Sequence, residues 1–318
     1  MIISASRRTD IPAFYSEWFI NRVKEGFCVT VNPFNRKQKK LVSLRPEDVT
    51  AIVFWSKNPA PLMKYLDYLD AMGYRYYFGF TLNNYPSELE PNVPEVKTRI
   101  NTFKRLSQRL GKKRVIWRYD PIVLSNKTPI DFHIGNFEFL TKELKDYTCK
   151  CVFSFLELYP KVQKRINKMH KEYGFAVQDI RSEKHKQILK SLVMQFKSIA
   201  DSYGLDLRSC AEKMDLTPYG IKPNSCIDGN LINEMPGTNV PFKKDRNQRR
   251  ECLCIESIDI GMYNTCLNQC VYCYANYSAK TAEANNRAHD KFSPVLIGNL
   301  NDIDLSKFKK YHSQRTLF

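Results

Sequence analysis

Residues Ala51-Ile52-Val53-Phe54-Trp55-Ser56-Lys57-Asn58-Pro59 carry the reading of the fold. Five apolar residues, most of them β-branched or aromatic, make a run too short for a helix and suited to a buried strand. A polar turn follows. Then Pro61–Met72 places Leu62, Met63, Leu66, Leu69 and Met72 near one helical stripe. A buried strand that feeds a polar turn and an amphipathic helix is the repeating unit of a parallel α/β sheet.

The same unit recurs on both sides. Ile2–Ala5, Tyr74–Thr81, Arg114–Trp117, Lys150–Phe155 and Leu205–Ser209 read as further strands, making six in all. Val93–Leu110 and Ser182–Tyr203 read as amphipathic helices, with Gly204 a C-terminal stop for the second. The expected architecture is α/β, a partial (β/α)-type barrel of about six parallel strands over residues 1–210. A doubly wound open sheet is the rival closure. From residue 211 the chain turns loop-rich, with Pro218, Gly220, Pro223, Gly229, Pro236, Gly237 and Pro241. Residues 211–318 are therefore expected to form a cysteine-rich cap on the barrel mouth.

Polar residues follow nearly every strand: Arg7, Arg8 and Asp10; Ser56, Lys57 and Asn58; Asn83 and Asn84; Arg118 and Asp120; Glu157; Arg208 and Cys210. In parallel α/β folds the carboxyl ends of the strands carry the active face. Asp10 and Asn58 each also read as a turn or helix-capping residue.

The 318 residues are 43% hydrophobic and 26% charged, as in a soluble globular chain. No apolar run approaches the ~18 residues of a membrane span. The first residues lack a signal-peptide layout, so a cytoplasmic placement is expected. Lys and Arg number 50 against 33 Asp and Glu, a net charge of +17. That balance favours anionic partners, either a nucleic acid or an anionic small molecule. A solvated basic surface explains it equally well, because apart from Asn35–Lys40, Lys243–Arg250 and Lys307–Lys310 the charge is dispersed. Oligomeric state leaves no mark on the sequence.

Seven of the ten cysteines fall between residues 210 and 273. In a reducing compartment such clustering points to metal or redox chemistry. Cys266, Cys270 and Cys273 have the spacing C-x3-C-x2-C, which suits three irons of a [4Fe–4S] cluster and leaves the fourth open. Zinc is the alternative, with Cys270 and Cys273 as one pair and Cys252 and Cys254 as another. Cys210, Cys226, Cys252 and Cys254 are candidates for a second cluster or a structural zinc. Cys28, Cys149 and Cys151 read as buried free thiols.

These residues carry a resemblance. Ser4–Pro12, Phe54–Pro59, Trp117–Pro121, Ser209–Glu212, Cys226–Asp228, Lys244–Arg249, Cys252–Cys254, Asp259–Cys266 and Tyr272–Ala275 together resemble the prokaryotic family called domain of unknown function eighteen-forty-eight, essentially end to end. The cysteine run, with Tyr272 directly before its third member, also resembles radical S-adenosylmethionine enzymes of the spore photoproduct lyase type. In that superfamily the open iron binds the amino and carboxylate groups of the cofactor's methionine. One electron passed to the sulfonium then releases a 5′-deoxyadenosyl radical. The resemblance implies a radical enzyme that needs an external electron donor, with Tyr272 close to the adenine. Most of the superfamily carries these cysteines after the first strand. Here they follow the sixth, so the remaining roles are assigned by chemistry.

Arg118 or Lys57 could meet the cofactor carboxylate, and Asp120 or Asp10 its ribose. Arg7 and Arg8 could hold a substrate phosphate or carboxylate. Asp245, Gln248 and Arg249 would dock the cap, and Asp259 and Tyr263 would shape the cluster loop. Two other readings stand beside the radical enzyme: a zinc-stabilised nucleic-acid-binding protein without catalysis, and a hydrolase or lyase whose cysteines are structural.

Overall fold

The computed structural model describes residues 1–35 and 37–298. The basic run Lys307–Lys310, Arg36 and the end of the expected cap, residues 299–318, lie outside the described residues.

Six strands form the centre of one sheet: β1 (Ile2–Ala5), β4 (Ala51–Ser56), β5 (Tyr76–Thr81), β6 (Val115–Ile122), β7 (Lys150–Phe155) and β8 (Asp206–Ser209). These are the six expected from the sequence, with ends shifted by a few residues. Two dipeptide strands, β9 (Lys222–Pro223) and β10 (Ile258–Asp259), extend the two edges. The order is β10-β1-β4-β5-β6-β7-β8-β9, and every pair is parallel. From β1 to β9 each new strand of this sheet joins on the same side. A doubly wound sheet reverses its order at a switch point, so the rival closure does not apply. The result is an eight-stranded parallel sheet with barrel-like order, and both edge strands come from the segment beyond residue 211. A separate hairpin, β2 (Phe27–Val31) with β3 (Lys39–Ser43), lies outside that sheet.

Side chains alternate across a strand, and both faces here are covered. Ile3, Ile52, Phe54, Phe78, Trp117 and Phe153 pack in the large core. The helices that cover this side are α2 (Ser16–Glu25), α5 (Val96–Leu110), α6 (Ile130–Leu144) and α8 (Lys186–Ser202), preceded by the short α1 (Ile11–Phe14), α3 (Ala60–Met63) and α4 (Leu66–Ala71). On the other face Ile2, Ala51, Val53, Tyr77, Ile116 and Val152 pack against Ile227, Ile232, Met235, Val240 and Ile255. Residues between Ala211 and Ile255 therefore fill one face of the sheet, with the short α9 (Gly229–Asn233) among them, while Ile260 and Leu296 further on pack in the large core. Burial on both faces is why these strands read as unbroken apolar runs.

The expected helix over 61–72 is two pieces, α3 and α4. Between them Tyr65 N bonds the Leu62 carbonyl only three residues back, which breaks the α ladder. The helix expected from Val93 starts at Val96, because a residue before proline, here Val93 before Pro94, is steered away from the helical region. Ser182 to His185 forms a capping residue and a single 3₁₀ turn before α8 begins. Helices α7 (Pro160–Tyr173) and α10 (Ala279–Arg287) complete the described elements. Among the described residues no helix is long and apolar enough to cross a membrane.

Candidate functional site

The loop that carries Cys266, Cys270 and Cys273 begins where β10 joins β1. Asp259 anchors this junction. Its carboxylate accepts bonds from Ser6 Oγ (2.6 Å), Ser4 Oγ (2.8 Å), Arg7 N (2.8 Å) and Gly261 N (3.0 Å). Gly261 then passes so close to β1 that a Cβ on it would sit 2.1 Å from Ser6 Oγ. Only glycine allows that approach.

Further along, the loop is tied to four parts of the fold. Tyr15 donates to the Thr265 carbonyl at 2.7 Å, and Asn268 Nδ2 to Asp10 Oδ2 at 3.2 Å. Val271 N bonds the Leu89 carbonyl at 3.0 Å, and Tyr274 donates to the Arg7 carbonyl at 2.8 Å. From α7, Arg165 spans the loop's end with bonds to the carbonyls of Val271 (2.8 Å), Asn276 (2.7 Å) and Cys273. Asn264 and Gln269 take the left-handed conformation, with φ of 61° and 54°, and so fold the loop back on itself.

Cys270 is buried, while Cys266 and Cys273 are half-buried. Burial pushes the Cys270 thiol up to about 12. Burial, Asp10, Cys273 and Cys270 together push Cys266 well above the ordinary thiol value. Left to themselves Cys266 and Cys270 stay neutral, and a bound cation is what would draw them into the thiolate form. Three soft donors on one clamped loop suit an iron–sulfur cluster in type and number. Among the described residues, however, no set of three or more His, Cys, Asp or Glu side chains is already gathered as a metal would hold them.

Beneath the loop lies a buried polar network. Lys57, just past β4, places Nζ 2.8 Å from Glu90 Oε1 and 2.9 Å from the Tyr272 hydroxyl. Tyr272 also donates to Glu90, and Asn83 Nδ2 reaches the same hydroxyl at 3.2 Å. Arg99 stands 3.6 Å from the other Glu90 oxygen. The two cations outweigh the cost of burial and hold Glu90 below the usual carboxylate range. Asp10 is fully engaged as well. It accepts from Ala13 N (3.0 Å), Ser56 Oγ (2.7 Å) and Lys57 N (2.8 Å), so it caps α1 and joins β1 to β4.

Of the residues expected to meet cofactor or substrate, the structure therefore places Lys57, Asp10 and Tyr272 together under the cysteine loop. Arg118 and Asp120 form a second group; they lie within β6 and not after it, because the strand runs on past Trp117 to Ile122. They are ion-paired, Asp120 accepts from Ser154 Oγ, and the Arg118 guanidinium lies 5.1 Å from the centre of the Trp55 ring. Gly79 makes room for that stack, since a Cβ there would lie 3.1 Å from Arg118 and 3.2 Å from Trp55. Arg7 and Arg8 share Asp259, at 3.9 and 4.0 Å, and then diverge. Arg7 turns to Ser257 and Asp245, while Arg8 lies over the Tyr263 ring. Gln248 donates to Asp245, and Arg249 pairs with Glu157.

Of the second group of four cysteines, Cys226 and Cys210 lie beside Arg118. Cys210 Sγ lies 3.4 Å from Cys226 Sγ, and Cys252 and Cys254 are buried in the same cluster as Cys226. A cavity of about 400 Å³ opens beside the starts of β6 and β7, away from the Cys266 loop. Its wall residues Lys113 and Lys150 are already paired with Glu234 and Asp228.

Sequence reading missed Glu90, Arg99 and Arg165, and it took Asn83 only as one of the polar residues that follow a strand. It also missed Glu212, whose carboxyl, pushed up by burial to about 7, accepts the Phe155 amide at 2.8 Å. Glu90, Arg99 and Arg165 sit in no local pattern that marks them, and Glu212 enters only within Ser209–Glu212, without a role.

A family model described as "Domain of unknown function (DUF1848)" matches residues 2–275. No curated protein matches the chain. Among solved structures, a "putative alpha-L-fucosidase" from Bacteroides thetaiotaomicron VPI-5482 is similar at 9% identity, over 78% of this chain and 86% of that one, with a TM-score of 0.25. That overlap is too loose to argue from.

Proposed function

The chain belongs to the DUF1848 family, and on that premise we propose that it is an iron–sulfur enzyme of the radical S-adenosylmethionine type. Cys266, Cys270 and Cys273 would hold three irons of a [4Fe–4S] cluster, and the fourth iron would bind the methionine end of S-adenosylmethionine. The observation that carries this reading is the clamped loop. Three thiols at x3-x2 spacing are fixed beyond the carboxyl ends of parallel strands, where such folds do their chemistry. When bound, such a cluster supplies one electron for cleavage of the sulfonium.

The chain's own residues then divide the remaining work. Arg165 and Asn268 hold the loop's shape. Lys57, with Glu90 and Tyr272, forms the floor under Cys270 and shields it from water. Asp120, partly exposed beside Arg118, is the acceptor best placed for ribose hydroxyls. The positive balance of the chain favours an anionic small molecule or a nucleic acid as substrate, and an external donor provides the electron.

The test is product analysis. Anaerobically purified protein, incubated with S-adenosylmethionine and dithionite, should form 5′-deoxyadenosine and methionine. Protein with Cys266, Cys270 and Cys273 all changed to Ala should form neither. Equal yields from the two proteins would remove the assignment.

A further inference from the structure

We propose that Cys210, Cys226, Cys252 and Cys254 bind a single tetrahedral metal ion of the zinc class, a structural centre separate from the Cys266 loop. The four residues come from three places in the chain: the end of β8, the turn after β9, and the segment that leads into β10. Yet they meet in one cluster: Cys226, Cys252 and Cys254 are buried in it and Cys210 packs against it. Cys210 and Cys226 are 3.4 Å apart, and the amide of Ile227, next to Cys226, donates to Cys254 Sγ at 3.2 Å, with Cys252 two residues away. Chain connectivity gives no reason for this convergence.

The spacing selects the kind of metal. Four thiolates at the ~2.3 Å zinc–sulfur distance stand roughly 3.8 Å from one another in a tetrahedron. A four-iron cluster gives each thiolate its own iron and so spreads the sulfurs further apart. A separation of 3.4 Å fits a shared single ion. The four are not yet gathered as a metal would hold them, and binding would draw Cys210 and Cys252 in around Cys226 and Cys254.

The surroundings also suit thiolates. Arg118 Nη1 donates to Cys226 Sγ at 2.7 Å, Asn224 Nδ2 to the same sulfur at 3.2 Å, and Ile227 N to Cys254 Sγ at 3.2 Å. Neutral thiols are weak acceptors, whereas outer-shell donors of this kind orient and stabilise metal-bound sulfur. A tetrathiolate zinc carries two negative charges, and the buried Arg118 guanidinium offsets part of them. Cys226, Cys252 and Cys254 are buried among Ile227, Ile232 and Ile255. The site would fasten the loop-rich segment 211–255 to the sheet, where few ladder hydrogen bonds do so.

The experiment uses the full chain with Cys266, Cys270 and Cys273 all changed to Ala, so that the first site contributes no metal. Elemental analysis after chelator treatment should find about one zinc per chain. Metal-free protein of the same variant, titrated with Co²⁺, should develop the intense visible bands of tetrahedral cobalt thiolate. Asn224→Ala, which removes a donor but no ligand, should weaken metal binding by about tenfold. Further changes of Cys226 and Cys254 to Ser should abolish the cobalt spectrum. Three results would overturn the proposal: no cobalt bands in a folded protein, iron with sulfide in place of zinc, or a Cys210–Cys226 disulfide found by mass spectrometry. Each leaves the Cys266 assignment standing, because that rests on iron in the unmutated chain.

Discussion

Lys57 Nζ lies 2.8 Å from Glu90 Oε1, in a place where the Glu90 side chain is 1% exposed and that of Lys57 12%. Lys57 follows β4 and Glu90 lies in the connection between β5 and α5, and their pairing forms the floor beneath Tyr272 and Cys270. Taking one partner from a buried pair leaves the other charge uncompensated and costs about 3–5 kcal/mol. Lys57→Met and Glu90→Gln should each lower stability on that scale in urea titration. The Gln variant should suffer most, because it strands both Lys57 and Arg99. A change of only a few tenths would show that water reaches the pair.

Gly261 offers a steric test. A Cβ at this position meets Ser6 at 2.1 Å, so Gly261→Ala forces β10 away from β1. Overpacking of this kind costs about 1–3 kcal/mol. The unfolding midpoint should fall, and amide exchange should rise first in residues 258–265. An unchanged midpoint would mean that the β1–β10 edge is loose.

Arg165 tests the clamp. Its guanidinium joins the carbonyls of Val271, Cys273 and Asn276. Arg165→Met keeps the aliphatic stem and loses those bonds. Cys266 and Cys273 should then react faster with a thiol reagent in metal-free protein, with global stability lowered by only about 1–3 kcal/mol. Reaction rates equal to those of the parent chain would remove Arg165 from the account.

His133 predicts a pH dependence. It is buried between the Tyr119 hydroxyl and the Val123 carbonyl, and burial lowers it to about 4. The folded state therefore prefers the neutral ring, and its contribution is complete above pH 6.5, the ordinary value. As pH falls from 6.5 to 4 the unfolded chain takes up a proton that the folded chain refuses. About 3 kcal/mol is lost across that window, with no further loss below it. His133→Gln should flatten this part of the stability profile. Parallel profiles for the two proteins would contradict the assignment.

The central strands were readable because each is covered on both faces, which leaves a continuous apolar run such as Ala51–Trp55. The edge strands were not. Lys222–Pro223 and Ile258–Asp259 join the sheet through two residues each, too few to show a side-chain pattern. The stripe His133, Phe137, Leu140, Leu144 of α6 was there to be found, at helical spacing. The cysteine loop was legible because metal-ligand spacing is local. Its support was not, since Glu90 and Arg165 lie 180 and 105 residues from Cys270 and carry no motif. Asp10 carried two readings, cap and ligand. The structure shows it capping α1, with both oxygens engaged.

The most direct measurement is the iron content and electron paramagnetic resonance of anaerobically purified, reduced protein, with and without S-adenosylmethionine. About four irons per chain and a cluster signal that changes when S-adenosylmethionine is added are the predicted result, with both lost when Cys266, Cys270 and Cys273 are changed to Ala. A colourless protein without iron, or a cluster whose signal ignores S-adenosylmethionine, would contradict the account.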